Sequence, residues 1–451
     1  MRWVELGPNG KLAGWCWKQI LPGRLSLPRD SGGGRPGRET GLRWGLTVCG
    51  RIEEGGEVRI LVAADKFKGT LTALEAGEAI GRGLEGALGA EGRVVVEVLP
   101  VADGGEGTAE AVRAARGGER VECEVDDPLG RTVTAEYALV QGPGGERIGV
   151  LEMSQASGLW RLDRAALEPE LASTFGTGEM MRAAVERGAT RLMVGIGGSA
   201  TNDGGAGMAE ALGYRFYDVA KGQLMVGLPA GMERLGRLEA PGSDILSGVS
   251  VEVACDVTNP LLGLGGATRI YGAQKGVASG AMEFFEDRLE RLAGVVERDL
   301  GVENRRGIAG AGAAGGLGWG LMVFCGGRLR RGFEMVADAI GLEARVAAAD
   351  LVVTGEGRID VQSAMGKAPG GVAAMAREHG KPVLAIGGAI SLEGEDREAV
   401  AESFDLTLSI EEVFPEVGLE ERIARNGELL EACILESSEL MKKFATGLGA
   451  V

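Results

Sequence analysis

The segment LVVTGEGRIDVQSAMGKAPGGVAAMA, residues 351–376, has the parts of one unit of an α/β fold. The apolar run at 351–353 predicts a buried strand, and Pro369 stands where a helix would begin. The polar loop between them carries Glu356, Arg358, Asp360, Gln362, Ser363 and Lys367. A strand, a polar loop and a helix start are typical of an anion site, because open backbone N–H groups and the helix dipole face the loop. A solvated turn has the same pattern, so this segment alone leaves both interpretations open.

Two further units of this kind lie in the first third of the chain. The run RILVAAD (59–65) predicts a buried strand, and Thr72 with Glu75 three residues later has the capping-box pattern of a helix start. VVVEVLP (94–100) predicts a second strand, and a polar glycine loop and a helix at about 108–116 follow it. This alternation predicts a doubly wound, Rossmann-like parallel sheet with ligand groups at the carboxyl ends of its strands.

The middle of the chain has a different pattern. Alternating, turn-rich segments between about 121 and 165 predict antiparallel strands, and RLMVGIG (191–197) and VEVACDV (251–257) predict two more strands. An amphipathic helix is predicted at 284–300. After residue 345 the first pattern returns, with strands predicted at 350–354, 382–388 and 406–410 and helices at 369–378 and 418–445.

We therefore predict an α/β fold of two domains. A discontinuous parallel-sheet domain comprises 58–120 plus 305–446, and a smaller α+β domain is inserted at 121–304, with the active site in the cleft between them. Residues 1–57 hold four of the six tryptophans and show no lasting periodicity. We expect them to be an atypical, disordered extension, with Val58 as an alternative start of the native protein. The alternative is a flexible functional arm.

The charge balance excludes several classes of partner. The net charge is −17, which disfavours nucleic acid and anionic membrane surfaces. The uncharged stretch 307–327 contains too much glycine for a membrane span. An anionic substrate would therefore need a local cationic pocket, for which the candidates are Lys66, Lys68, Lys275, Arg358 and Lys367.

Cysteine and histidine usage narrows the chemistry further. Six cysteines are scattered singly, which argues against a disulfide framework or a structural zinc site and predicts a reducing, cytoplasmic location. The chain has one histidine, His379, in a context typical of a helix end. A Ser-His-Asp mechanism is therefore not expected.

Charged and amide side chains follow five predicted strands. They are Asp65 with Lys66 and Lys68; Asp103 with Glu106; Asn202 with Asp203; Asp256 with Asn259; and Glu356 with Arg358, Asp360 and Lys367. Single loops of this kind are commonly structural, but five of them predict a polar cleft. Such a lining suits a small anionic, hydroxylated substrate together with a magnesium nucleotide.

Two glycine motifs bear on nucleotide binding. GAGAAG (310–315) matches a dinucleotide fingerprint, but no strand is predicted before it. GIGGSA (195–200) directly follows a strand, and its Gly197, Gly198 and Ser199 suit phosphate binding. A Walker A motif is absent from the sequence, because Ala368 follows Gly366-Lys367 where a Ser or Thr would be needed.

Eight motifs together closely resemble the bacterial class I glycerate kinase family, over Val58 to about Phe444. They are ADKFKGTLTALEA (64–76), PVADGGEGT (100–108), ASTFGTGE (172–179), GIGGSATNDGGAGMAEALG (195–213), ACDVTNPLLG (254–263), GAQKG (272–276), GAGAAGGLG (310–318) and TGEGRIDVQSAMGKAPGGVA (354–373). The resemblance implies a flavodoxin-like domain with a smaller one. It also implies transfer of the ATP γ-phosphate to D-glycerate, giving 2-phosphoglycerate. Trp319 stands at a position where the resemblance leads us to expect a small residue, so only the side-chain packing at that position is expected to differ.

The roles of the residues are physical hypotheses. Asp203, Arg358, Asp360 and Lys68 are the predicted catalytic residues, with Asp203 or Asp360 acting on the substrate hydroxyl. Asp65 and Asp256 are the predicted ligands of Mg²⁺. The predicted substrate and phosphate-binding residues are Asp65, Lys66, Asp103, Gly197, Gly198, Ser199, Asn202, Asp256, Glu356, Gln362, Ser363 and Lys367.

Other functions stay open at this point. One alternative product is 3-phosphoglycerate. A non-catalytic module that binds a sugar acid or a nucleotide would explain the polar loops without chemistry, and an NAD(P)-linked hydroxy-acid reductase would explain the GxGxxG motif. Homo-oligomer formation is also left open.

Overall fold

A computed structural model of the protein describes residues 57–447, except 90–92, 219–221, 223–228, 365 and 392–393. The predicted N-terminal extension lies outside the described residues, apart from Glu57. The strands are β1 Glu57–Ala64, β2 Arg93–Val98, β3 Glu119–Asp126, β4 Thr132–Gln141, β5 Arg147–Glu152, β6 Arg191–Gly195, β7 Arg215–Asp218, β8 Leu235–Glu239, β9 Ser250–Ala254, β10 Arg328–Arg330, β11 Leu351–Ile359, β12 Val383–Ile390 and β13 Leu406–Ser409.

Helices connect and cover these strands. They are α1 Ala73–Leu88, α2 Thr108–Arg116, α3 Ser154–Ser157, α4 Phe175–Glu186, α5 Ala206–Ala211, α6 Ala267–Tyr271, α7 Met282–Leu300, α8 Leu317–Phe324, α9 Gly332–Ile340, α10 Leu342–Ala348, α11 Val361–Ala364, α12 Ala368–Glu378, α13 Gly394–Ser403, α14 Ile410–Val413, α15 Leu419–Ala424, α16 Asn426–Glu436 and α17 Ser438–Gly447. Among the described helices, none combines the length and hydropathy that a bilayer span needs.

The first sheet is wholly parallel, with the strand order β13-β12-β11-β1-β2. The chain winds outward in one direction from β1 to β2 and in the other from β11 through β12 to β13. The order therefore reverses between β1 and β11, and ligands of such sheets bind outside the carboxyl ends of the strands at this switch point. Asp65 directly follows β1, and Glu356 lies on β11.

The second sheet is mixed, with the order β10-β9-β6-β5-β4-β3. The pairs β3–β4 and β4–β5 are antiparallel, as the alternating pattern predicts, whereas β5, β6, β9 and β10 are mutually parallel. The predicted α/β class is confirmed. The division into 58–120 plus 305–446 and 121–304 stays a prediction, and strand β10 of this sheet comes from the segment 305–446.

Three apolar cores fill the spaces between the two sheets and the helices that cover them. The first packs α1 and α16 on the outer face of the first sheet, and another packs α4, α7 and α8 on the outer face of the second. The core between them contains Val352 of the first sheet, Val150 of the second, and Val112 and Val336 of the intervening helices α2 and α9. The two sheets therefore share one apolar layer.

Local sequence signals account for several element boundaries. The Thr72 hydroxyl accepts a hydrogen bond from the Glu75 N–H at 3.2 Å, and the Glu75 carboxylate accepts one from the Thr72 N–H at 2.8 Å, so the predicted capping box is confirmed. Helix α12 has its proline at the first turn and His379 as its C-terminal cap, also as predicted.

Two predicted elements are wrong in extent. Strand β11 does not end at 354 but continues to Ile359, because its second half pairs with β12 up to Ile390. Glu356 and Arg358 therefore lie on a strand rather than in a loop. The single helix predicted at 418–445 is three helices, α15, α16 and α17, which are separated by short breaks.

The carboxyl ends of the two sheets meet at closely packed loops. Gly104, after β2, has φ +87°, and a Cβ atom there would lie 2.5 Å from Cβ of Ala254 at the end of β9. A Cβ atom on Gly332 would lie 1.8 Å from the carbonyl oxygen of Asp103. Larger side chains at these positions would push the two edges apart.

Candidate active site

Two adjoining cavities lie where the two strand edges meet. The lysine cavity, about 320 Å³, is lined by Asp65, Lys66, Lys68, Asp103, Gly105, Glu106, Ser154, Trp160, Gly197, Gly198, Glu356 and Lys367. The glycine cavity, about 400 Å³, is lined by Asp103, Gly104, Gly105, Leu159, Ile196, Gly197, Gly198, Ser199, Ala254, Cys255, Asp256, Val257, Tyr271, Gln274, Lys275, Ala313 and Ala314. Asp103, Gly105, Gly197 and Gly198 line both, and we call these four residues the shared wall.

Three ammonium groups surround the lysine cavity. Lys66 Nζ donates a hydrogen bond to the carbonyl oxygen of Glu106 at 2.6 Å, which ties the loop after β1 to the loop after β2. Lys68 is exposed on the same loop, and half-buried Lys367 is the N-cap residue of α12. Cations from three separate segments can therefore face one small anion.

Two carboxylates in this cavity have unusual protonation equilibria. Burial raises the pKa of Asp65 to about 6, against the opposing charge of Lys66. Burial likewise raises the pKa of Glu356 to about 7, and the nearby charges of Asp65 and Asp360 act in the same direction. The buried Glu356 Oε1 has no hydrogen-bond partner among the described residues. A carboxylate with an unused oxygen and a pKa near neutrality can accept a proton from a substrate hydroxyl.

Asp103 lies between the carboxylates of the two cavities. Its charge raises the pKa of both Asp65 and Asp256, in each case after the larger effect of desolvation. The Asp256 carboxylate accepts a hydrogen bond from the Gly332 N–H at 2.9 Å, which fixes it at the start of α9. Within the described ranges, no group of three or more His, Cys, Asp or Glu side chains could hold a metal ion by itself.

The glycine cavity is bounded on one side by the loop after β6. Gly198 adopts φ +73°, and Gly197 and Gly198 present backbone rather than side chains to the space. Beside them, buried Lys275 donates hydrogen bonds from Nζ to Ser199 Oγ at 2.7 Å and to the Thr201 carbonyl oxygen at 2.6 Å. The arrangement suits an anion that approaches a glycine backbone closely.

The structure brings ten predicted site residues into these two cavities and leaves six outside them. Those that line the cavities are Asp65, Lys66, Lys68, Asp103, Gly197, Gly198, Ser199, Asp256, Glu356 and Lys367. Those that do not are Asn202, Asp203, Arg358, Asp360, Gln362 and Ser363.

Asp203 lies in the protein interior, where its side chain is 0% exposed. Its carboxylate accepts four hydrogen bonds, from the N–H and the hydroxyl of Thr174 at 2.8 Å each, from Gly205 N–H at 3.1 Å and from Gly207 N–H at 3.2 Å. Asn202 is equally buried and donates to Thr268 Oγ1 at 2.9 Å. These contacts give both residues structural roles, and the predicted action of Asp203 on a substrate hydroxyl does not fit them.

Asp360 also has a local structural role. Its Oδ1 accepts hydrogen bonds from the N–H groups of Gln362 at 2.9 Å and Ser363 at 3.1 Å, which caps the short helix α11. Arg358 is exposed and acts electrostatically on Asp396 at the start of α13. The catalytic roles predicted for Arg358 and Asp360 are therefore not supported by their positions. The residue of this segment that lines the lysine cavity is Glu356, so Glu356 is the better candidate for a catalytic role.

Three residues at or beside the site received no specific role in the sequence analysis. Lys275 was a candidate cation only, and the signal that could have assigned it is a lone lysine in GAQKG. Glu152, at the end of β5, is buried, which raises its pKa, and it accepts a hydrogen bond from Ala109 N–H at 2.9 Å at the start of α2. Trp160 is 63% exposed beside the lysine cavity, although its Nε1 donates to the Ser154 carbonyl oxygen at 2.9 Å. An exposed tryptophan is visible only in three dimensions.

Comparisons with known proteins agree on one family. The profile of the glycerate kinase family matches residues 60–442. The chain is 44% identical over 336 residues to a protein named glycerate kinase from Bacillus subtilis (strain 168), which covers 74% of this chain and 86% of that protein. It is 41% identical over 335 residues, 74% of this chain and 86% of the other, to a protein named glycerate 2-kinase from Escherichia coli (strain K12).

A solved structure supports the same assignment. The crystal structure of a protein from Salmonella typhimurium LT2, provisionally named glycerate kinase 2, superimposes with a TM-score of 0.75 at 39% sequence identity. The match covers 86% of this chain and 99% of that one, so both sheets are included. The chain belongs to the glycerate kinase family.

Proposed function

We propose that this protein is a class I glycerate kinase that transfers the γ-phosphate of ATP to the 2-hydroxyl of D-glycerate. The observation that carries the proposal is the pair of cavities with one shared wall, because a kinase must hold two anionic substrates side by side. The 41% identity to a protein named glycerate 2-kinase supports the 2-hydroxyl as acceptor.

The lysine cavity suits glycerate. Lys66, Lys68 and Lys367 offer charge-assisted hydrogen bonds to a carboxylate and to the incoming phosphoryl group. Asp65 and Glu356 offer acceptors for hydroxyl groups. The acidic body of the protein, with a net charge of −17, makes this local cationic group necessary for a negatively charged substrate.

The glycine cavity suits ATP. It is the larger of the two, and it has apolar side chains for a base as well as a glycine backbone for phosphates. Leu159, Ile196 and Val257 are among the apolar residues, and Gly197 and Gly198 are in the shared wall. In this arrangement the γ-phosphate would lie at the shared wall, next to the substrate hydroxyl.

The proposed reaction moves one phosphoryl group and one proton. The glycerate 2-oxygen forms a bond to the γ-phosphorus, and the bond from that phosphorus to the β,γ-bridging oxygen breaks, so that ADP leaves. Glu356, which lines the lysine cavity, accepts the hydroxyl proton. Lys66 and Lys367 offset the charge that spreads over the phosphoryl oxygens.

We propose Mg²⁺ as the metal cofactor, held by Asp103 together with Asp256 or Asp65. Mg²⁺ is usually bound by one or two carboxylates together with substrate phosphates and water. This small number of protein ligands agrees with the described residues, among which no three His, Cys, Asp or Glu side chains form a metal site. When bound, the ion would supply charge neutralisation on the nucleotide phosphates. The four described cysteines are free thiols, which supports the cytoplasmic location that we also propose.

Phosphorus NMR of a mixture of ATP, MgCl₂ and D-glycerate with the purified protein tests the function. We expect ADP and 2-phosphoglycerate in equal amounts, and none without glycerate. A 3-phosphoglycerate signal would refute the regiochemistry alone. ATP binding without turnover would instead favour a binding module, and neither product nor binding would refute the kinase proposal.

A further inference from the structure

Lys275 is a buried cation in the wall of the proposed nucleotide site. It ends the 3₁₀ turn Ala273–Lys275 and is only 2% exposed, although it is one of the residues that line the glycine cavity. Two oxygen atoms hold that group, Ser199 Oγ at 2.7 Å and the Thr201 carbonyl oxygen at 2.6 Å. Both belong to the loop after β6, so the ammonium group is fixed beside the glycine backbone of the shared wall.

Among the described residues, no carboxylate is in contact with this cation. Within the part of the chain that the structure describes, no ion pair is formed by Lys275, and the carboxylate whose charge raises the pKa of Lys275 through space is Asp203. The Asp203 oxygens are already engaged by Thr174, Gly205 and Gly207. A buried, unneutralised ammonium group is costly, so its position indicates that an anion completes the site.

The geometry leaves room for that anion. An ammonium group has three N–H donors, and the contacts with Ser199 and Thr201 use two of them. The third remains for a ligand in the glycine cavity, which Lys275 lines together with Gly197 and Gly198. A phosphate oxygen is the acceptor that matches a lysine point charge next to glycine N–H groups.

We propose that Lys275 is a substrate-binding residue whose ammonium group donates a hydrogen bond to a phosphate oxygen of the bound nucleotide. The inference rests on the proposed function, since it assigns the glycine cavity to ATP. It adds a cation that acts on the nucleotide, in contrast to Lys66, Lys68 and Lys367, which face the glycerate side.

Nucleotide binding then takes up a proton. Burial lowers the pKa of free Lys275 to about 7, against the opposing charge of Asp203, so at pH 8 most of the amine is neutral. A phosphate dianion beside it raises that pKa again. The other titratable groups that line the cavity are Asp103, Asp256, Tyr271 and Cys255. Burial raises the pKa of the Tyr271 hydroxyl and of the Cys255 thiol, so both stay protonated at pH 8, and it also raises the pKa of Asp256.

Two measurements test the proposal. Calorimetric titration of the wild-type protein with ATP at pH 8, in two buffers of different ionisation enthalpy, should show uptake of up to about one proton per nucleotide. Lys275→Met should weaken ATP and ADP at least tenfold while the KM for glycerate changes less than twofold. Lys381→Met, in the loop between α12 and β12, is the matched control and should leave both constants unchanged.

The outcomes are distinct. Unchanged ATP affinity in a folded Lys275→Met, or an increase confined to the KM for glycerate, would overturn the proposal. If that variant does not fold, the wild-type titration still decides, because zero proton uptake contradicts the proposed contact. Protein that binds ATP with a proton uptake that Lys275→Met abolishes, yet does not phosphorylate glycerate, would leave Lys275 assigned and refute only the kinase function.

Discussion

Replacing Asp203 by asparagine separates a structural role from a catalytic one. The side chain is fully buried and accepts four hydrogen bonds from three residues. Asparagine has nearly the same shape but turns one carboxylate oxygen into an NH₂ group, which would face donors instead of accepting from them. We therefore expect Asp203→Asn to destabilise the fold rather than to abolish the chemistry.

The magnitude follows from the donors that lose an acceptor. The oxygen Oδ2 accepts from Thr174 N–H, Thr174 Oγ1 and Gly207 N–H. Each buried donor left unsatisfied costs about 1–3 kcal/mol, but such losses are not additive and an amide flip can spare some of them. We expect the free energy of unfolding to fall by about 2–4 kcal/mol and the melting temperature by roughly 2–5 °C for a unit of this size.

The assay combines urea unfolding with turnover measured well below the transition. Asp287→Asn, on the exposed face of α7, is the control and should change the unfolding free energy by less than about 0.5 kcal/mol. The folded fraction of Asp203→Asn should keep its kcat within about tenfold. If Asp203→Asn unfolds like the wild type but its kcat is reduced by a thousandfold or more, this reasoning is refuted and Asp203 has a catalytic role.

Three further predictions concern the site. Because the pKa of Glu356 is raised to about 7, kcat/KM should rise as the pH increases through that value. Glu356→Gln should remove this rise of the pH profile and lower kcat by about 10²–10⁴-fold, whereas the control Glu378→Gln should change neither. Trp160 lies at the lysine cavity, so glycerate binding should change tryptophan fluorescence, and Trp160→Phe should abolish the change. Burial lowers the pKa of Lys275 below its unfolded value of 10.5. The unliganded wild type should therefore gain stability relative to Lys275→Met as the pH rises from 7 to 9. Urea unfolding should show this gain in the free energy of unfolding, at most about 1.4 kcal/mol per pH unit.

The sequence predicted the fold where local signals and burial agree. The Thr72 and Glu75 capping box marks the start of α1, and apolar runs bounded by glycine mark the parallel strands. Glycine density was informative in a few places, such as Gly104, where a tight approach between the sheets excludes a side chain. The extent of β11 was missed because its second half is held by pairing with β12, which no local pattern records.

The candidate site was predicted at the level of loops rather than of residues. Parallel strands bring their carboxyl ends to one edge, so the loops of Asp65, Asp103 and Glu356 were expected to converge. Whether one carboxylate faces the cavity or caps a backbone depends on a few ångströms of side-chain placement. Asp203 and Asp360 have the same side chain as the aspartates that line the cavities, but their carboxylates accept hydrogen bonds from nearby backbone N–H groups instead.

The apolar layer shared by the two sheets bears on how the protein unfolds. The described residues belong to one compact unit, and Val352 and Val150 from opposite sheets contribute to the same core. Opening one sheet would expose the apolar face of the other, so neither can melt alone at low cost. Thermal unfolding should consequently be a single cooperative transition, and a ligand bound at the shared wall should raise its midpoint for both sheets together.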